Sequence, residues 1–88
     1  MNPHRTLQPA EGVIFKTVGE ELVLLDYDRG LYYGLDPTGA RIWHLAAEGK
    51  TLGTIVEALT QEYEVERATA EEDLERLVAE LEERGLVK

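Results

Sequence analysis

The sequence predicts an α+β domain of the winged helix-turn-helix type, a three-stranded antiparallel sheet followed by three helices. Three observations carry this expectation. The first third of the chain holds β-branched and aromatic runs broken by glycine-containing turns, the period changes at Asp36-Pro37, and apolar residues thereafter recur at spacings of three and four. Strands followed by helices place the helices on one face of the sheet, and consecutive helices with short links are the raw material of a helix-turn-helix.

Each element has its own signal. Met1 to Gln8 contain Pro3 and no sustained pattern, and Pro9 follows, so residues 1–10 are expected to form a flexible amino-terminal arm and 11–88 a single folded domain. Val13 to Val18 and Leu22 to Tyr27 read as strands separated by Gly19-Glu20-Glu21, a turn of hairpin length. Asp28-Arg29-Gly30 suits a turn that ends with glycine at a left-handed position, and Leu31 to Leu35 follows as the third strand. Asp36 is a good helix cap with proline at the first helical position, opening a helix that carries Ile42, Trp43 and Ala46 and stops near Gly49. Thr51 caps a second helix with the stripe Leu52, Ile55, Val56, Leu59 and Tyr63. Thr69-Ala70-Glu71-Glu72 reads as a capping box for a third helix with the stripe Ala70, Leu74, Leu77 and Leu81, ending at Gly85.

Composition excludes more than it proposes. The chain has 88 residues, 43% hydrophobic and 31% charged, which suits one folded domain with one modest core. There is no cysteine, so disulfide scaffolds, thiolate metal sites and cysteine nucleophiles are ruled out together. No apolar run approaches the roughly 20 residues that span a bilayer, and the amino terminus lacks a signal-peptide stretch, so the cytoplasm is the expected location. Of the net charge of −9, all falls between Glu57 and Glu83, where eleven acidic residues face only Arg67 and Arg76. Such a field repels phosphate backbones and anionic membranes and attracts basic segments; equally, it is what a solvated helical face chosen for solubility would carry.

Catalytic chemistry is hard to find. Neither His4 nor His44 has a partner at metal-ligand spacing, serine is absent, and the carboxylates Glu71, Glu72, Glu75, Glu82 and Glu83 fall away from the apolar stripe. The expectation is therefore no catalytic residue, no metal and no cofactor. In a winged helix the last helix would enter the major groove, but here it offers Arg76 and Arg84 against seven acidic residues from Glu71 to Glu83.

A binding role is better supported. Leu31-Tyr32-Tyr33-Gly34-Leu35 would be a sheet edge without the lysine or proline that blunts edges, and Gly34 permits close backbone approach. Alternation puts Leu31, Tyr33 and Leu35 on the face toward the helices and Tyr32 and Gly34 on the other. Both tyrosines read equally as half-buried core with exposed hydroxyls or as contacts for an added strand. At 100° per residue, Asp73, Leu77, Glu80 and Arg84 line one edge of the third helix, an apolar residue with a charged rim. Leu77 suits the core as well as a pocket there.

The run Tyr33-Gly34-Leu35-Asp36-Pro37-Thr38-Gly39-Ala40-Arg41-Ile42-Trp43 is similar to a family pattern of a strand leucine, a polar cap, then Thr-Gly-Ala-x-Ile-Trp. Thr51-Leu52, Ile55, Leu59, Tyr63-Glu64-Val65, Asp73, Leu77, Leu81 and Gly85-Leu86-Val87 continue it in order. From about Gly12 to Lys88 the chain resembles the family of the pyrroloquinoline quinone biosynthesis protein D, leader-peptide recognition elements for ribosomally made, modified peptides. As a free-standing copy with an acidic last helix, it resembles in particular the small leader-binding subunit of lasso peptide biosynthesis, which works beside a leader peptidase and a macrolactam synthetase. The resemblance implies a winged helix-turn-helix whose leader ligand docks as an added strand along strand three, beside the third helix. Carried over by position, the peptide contacts are Leu31, Tyr32, Tyr33 and Gly34 on the strand and Asp73, Arg76, Leu77 and Glu80 on the helix. It implies as partners the precursor leader, the leader peptidase and the macrolactam synthetase; together with the charge and hydropathy reading, the expectation is a monomer with no nucleic acid and no membrane. Two alternatives remain: a leader-binding chaperone of another such pathway, pyrroloquinoline quinone among them, or a winged-helix regulator.

Overall fold

The computed structural model describes residues 1–88. Three strands, β1 (Val13–Val18), β2 (Glu21–Asp26) and β3 (Leu31–Leu35), precede three helices, α1 (Pro37–Ala47), α2 (Leu52–Tyr63) and α3 (Arg67–Glu83). The sheet is an antiparallel meander ordered β1-β2-β3, so β2 is central and β3 is an edge. This is the expected α+β order, and its helices have the winged helix-turn-helix-like arrangement.

The turns form for local reasons. Gly19 takes a φ of +65° at the first position of a two-residue turn, between the paired residues Val18 and Glu21. A side chain there would be strained, which is why glycine opens this hairpin type. The β2–β3 turn is held by the buried carboxylate of Asp26, which accepts from the backbone N–H groups of Asp28 (3.1 Å) and Arg29 (3.2 Å) and from Arg29 Nε (2.6 Å). The Arg29 guanidinium and these N–H groups hold the Asp26 carboxyl below its ordinary value of 3.8.

Asp36 and Thr51 cap α1 and α2 as expected. Gly39 N–H donates to Asp36 Oδ1 at 2.8 Å, and Thr54 N–H donates to Thr51 Oγ1 at 3.2 Å. Helix α3 differs from expectation: it begins at Arg67, two residues ahead of the capping box, with Glu66 at the cap and no side-chain cap bond. Glu64, at φ +52°, turns the chain out of α2 quickly, and an Arg67–Glu71 ion pair at 3.3 Å spans the opening turn of α3. Thr69 thus lies inside the helix.

Register explains which strand residues are buried. Leu22 and Leu24 of β2, with Leu35 of β3, face the helices and are buried, packing with Ala40, Trp43, Leu81, Leu86 and Val87. Phe15, opposite Leu24, adds an edge-on ring contact to Trp43 at 6.5 Å. Leu31 shares that face by alternation but is 56% exposed, because it lies beyond the helical cover. The opposite face, with Ile14, Val18 and Tyr32, is open to solvent. A second cluster lies among the helices, built on Ile42, Leu45, Ile55, Val56, Leu59, Ala70, Leu74 and Val78. Val78 takes the buried place that the third-helix stripe assigned to Leu77, which is only partly buried and packs against both clusters.

The amino-terminal residues, expected as a frayed arm, lie on the helices instead. Leu7 is 2% exposed within the helical cluster, and Thr6 and Pro9 form isolated bridges with Thr51 and Val87. Backbone bonds from Leu52 N–H to the Arg5 carbonyl (2.8 Å) and from Gly53 N–H to the Pro3 carbonyl (2.9 Å) satisfy donors at the start of α2 that have no partner inside the helix. No local pattern marks this pairing, because its partners lie more than forty residues away.

Two outcomes are expected. Leu7→Ala lowers the unfolding free energy in a denaturant titration by about 2–4 kcal/mol, the range for emptying a buried leucine site; a change below about 0.5 kcal/mol would mean that the arm is not docked. Because Asp26 is depressed in the folded state, the stability it lends is present above its unfolded value of 3.8 and is lost as pH falls through the folded one. Asp26→Asn should flatten that acid limb, as followed by thermal melts from neutral pH downward.

Candidate peptide-binding groove

The side of β3 is where the sheet and α3 come near each other without closing. An edge strand leaves every second residue's N–H and C=O without a strand partner, so β3 retains half its backbone pairing capacity. Beside it lies a cavity of about 420 Å³. Tyr33, Gly34 and Leu35 contribute from β3, the first turns of α1 contribute Asp36, Thr38, Gly39 and Ile42, and α3 contributes Asp73, Arg76, Leu77 and Glu80. Ile42 and Leu77 supply an aliphatic floor, and Asp36, Asp73 and Glu80 an acidic rim. Arg76 is tied back to Asp73, three residues earlier, at 3.1 Å.

Tyr33 is the bridge between sheet and helix. Its phenol O–H donates to the Glu80 carboxylate, and the Arg84 guanidinium lies over its ring, 4.7 Å from the centroid. Hydrogen bonding to Glu80 stabilises the protonated phenol and raises its pKa above the ordinary 10.0; desolvation and the negative charge of Glu80 act in the same direction, and Arg84 opposes them.

A second, smaller cavity of about 180 Å³ lies on the other side of Tyr33, lined by Arg29, Leu31, Tyr32, Tyr33, Arg84 and Leu86. Arg29 Nη2 donates to the Arg84 carbonyl, a second tie between the β2–β3 turn and the end of α3.

Of the eight residues singled out from sequence, Tyr33, Gly34, Asp73, Arg76, Leu77 and Glu80 line the larger cavity together. Leu31 and Tyr32 lie by the smaller one, with Tyr32 78% exposed. Missing from that set are the residues of the β3–α1 junction: Leu35, Asp36, Thr38, Gly39 and Ile42. Gly39 was their available signal. A glycine inside a helix lowers its stability by roughly 1 kcal/mol, so its presence there points to crowding. A Cβ there would stand 3.3 Å from Asp36 Oδ1 and from Leu35 Cβ.

No group of three or more His, Asp or Glu side chains is placed to hold a metal ion, and no helix is long and apolar enough to cross a membrane.

Comparison with known proteins gives the groove its context. Residues 21–87 match the family described as "Coenzyme PQQ synthesis protein D (PqqD)". No curated protein matches the sequence. Two solved structures do. One, "TbiB1 in Complex with the TbiA(beta) Leader Peptide", is 38% identical, with 92% of this chain and 94% of that one covered and a TM-score of 0.88. The other, "Lasso peptide synthetase B1 complexed with the leader peptide", is 32% identical, with 96% and 99% covered and a TM-score of 0.89.

The Tyr33–Glu80 bond has a direct spectroscopic consequence. In an alkaline titration at 295 nm, or by NMR of labelled tyrosine, Tyr33 should ionise above 10.0, and Glu80→Gln should bring its midpoint down. An unchanged midpoint in the variant would show that the carboxylate does not hold the phenol.

Proposed function

The chain belongs to the PqqD family, and on that premise we propose that it is a non-catalytic adaptor that binds the leader of a ribosomally made precursor by strand addition and presents it to a leader peptidase and a macrolactam synthetase in lasso peptide biosynthesis. The observation that carries this reading is the unpaired edge of β3 flanked by an apolar-floored groove. Backbone pairing along β3 supplies affinity for any extended peptide, and the Ile42–Leu77 floor supplies selectivity for an aliphatic anchor. Support comes also from the two similar structures, each described as a complex with a leader peptide.

The adaptor's contribution is concentration and orientation. A leader held along β3 keeps the rest of its precursor within reach of an enzyme bound to the same adaptor, which raises the effective concentration there. The groove holds no aliphatic hydroxyl paired with a base: its polar side chains are the carboxylates Asp36, Asp73 and Glu80, the Thr38 hydroxyl, an arginine already paired with Asp73, and a phenol whose proton Glu80 holds in place. The same acidic helix disfavours a phosphate backbone as ligand. We assign the protein to the cytoplasm as a monomer.

Titrating the leader of the cognate precursor should give a dissociation constant between about 10 nM and 10 μM, as suits a small interface. Tyr33→Ala, provided that its melting temperature is retained, should weaken binding by roughly 1–3 kcal/mol. Glu75→Ala, on the exposed side of α3, should change it by less than about 0.5 kcal/mol. Amide exchange should slow in β3 on adding leader and stay unchanged at the Gly19 turn. Protection confined to α1 and α2, with Tyr33→Ala binding normally, would place the peptide elsewhere; cleavage or cyclisation of precursor by the protein alone would end the adaptor reading.

A further inference from the structure

Five of the six arginines pair with a carboxylate within 4 Å: Arg5 with Glu82, Arg29 with Asp26, Arg41 with Glu62, Arg67 with Glu71 and Arg76 with Asp73. Arg84 alone does not, in a chain with eighteen acidic side chains. A partner stands at the right spacing. Glu80 is four residues before Arg84 on the same helix, the favoured order for an ion pair. Tyr33 separates them by taking the Glu80 carboxylate with its hydroxyl and the Arg84 guanidinium with its ring face.

The consequence is a guanidinium with its position defined and its edge unused. The guanidinium lies over the ring, and none of its N–H donors has a hydrogen-bond partner in the protein, while its planar fork matches a carboxylate. The end of α3 is held as well, since the Arg84 carbonyl accepts from Arg29, itself fastened to Asp26 at 2.6 Å. Both guanidinium groups flank the smaller cavity, over the apolar surface of Leu31, Tyr33 and Leu86. Here the charge left without a carboxylate is basic, Arg84, since Arg29 is paired with Asp26, whereas at the Leu35 end of the same strand the balance is acidic, with Asp36, Asp73 and Glu80 against Arg76.

We propose that the smaller cavity is a carboxylate subsite: an Asp or Glu side chain of the peptide added to β3 lies against Arg84. This rests on the leader-binding reading and deepens it, because the two rims give the groove an electrostatic direction. The peptide's aliphatic anchor belongs at the Leu35 end and its acidic side chain at the Leu31 end. The distance from Leu31 to Leu35 puts these two side chains about four residues apart in the ligand, at about 3.3 Å of rise per residue.

The test is a double-mutant cycle by calorimetry. The probe is a synthetic leader of the cognate precursor, acetylated and amidated so that only side chains carry carboxylates. Each Asp or Glu is replaced in turn by Asn or Gln and titrated against the wild-type protein, Arg84→Gln and Arg84→Lys. One replacement should weaken binding to wild type about tenfold, as a charge-assisted bond at a partly dry contact would. Arg84→Gln should lose about as much with the native leader, and the two changes together no more than either alone. Arg84→Lys should keep part of the affinity, and Arg76→Gln, whose parent is already paired, should show no coupling to the same leader residue. Unchanged melting temperatures keep the comparison to binding. Losses that add, or no leader acid that matters, would overturn the subsite while leaving leader binding intact; a wild-type protein that binds no leader overturns both.

Discussion

Strand β3 has a neighbour on one side only, and the character of the groove follows from what stands where a second neighbour would be. That place is held by α3, which is positioned by its packing against α2 and the helical cluster rather than by pairing with the strand. The link across is made by side chains: Tyr33 to Glu80, and Arg29 to the Arg84 carbonyl. Side-chain bridges hold two elements at a spacing that backbone pairing would close. Cavities therefore remain on both sides of Tyr33, and the strand keeps the unpaired groups that an extended peptide needs.

The floor of the groove is continuous with the core. Leu77 packs against both hydrophobic clusters while lining the larger cavity, and Ile42 is buried in the helical cluster yet reaches the same space. Moving Leu77 would disturb two packed groups and moving Ile42 one, so a ligand would lose little affinity to ordering this floor. The junction between β3 and α1 is equally constrained: Asp36 caps the helix through Gly39, and at Gly39 the helix, the cap and Leu35 approach too closely for a side chain without displacement.

Charge is arranged against this frame rather than spread evenly. Of the α3 carboxylates only Glu72 and Glu83 have no partner; Glu71, Glu75 and Glu82 pair with Arg67, the amino terminus and Arg5, and those at the groove are engaged as well, Asp73 with Arg76 and Glu80 with Tyr33. The basic end of the groove survives in an acidic protein because a tyrosine ring and a hydroxyl separate a glutamate from the arginine one turn away. A surface count of charges would have averaged this polarity away.

Local chemistry was legible in the residues themselves. Turn glycines, the caps Asp36 and Thr51, and the change of period at Asp36-Pro37 act within a few residues of the chain, so the α+β order, the strand faces and six residues of the larger cavity could be read from spacing and resemblance. What acts at a distance could not. The arm gives no periodic sign of lying on α2, since its partners Thr51, Leu52 and Gly53 supply backbone groups that carry no residue signature. The rotation of α3 that buries Val78 and half-exposes Leu77 is a packing outcome, settled by which side chain fits between two clusters and not by the stripe alone. The start of α3 at Arg67 in place of the Thr69 capping box reflects the competition between a local cap and a sharp exit from α2. Sequence put Glu80 and Arg84 on one helix edge; only the fold inserted Tyr33 between them, because that depends on how far α3 stands from the sheet.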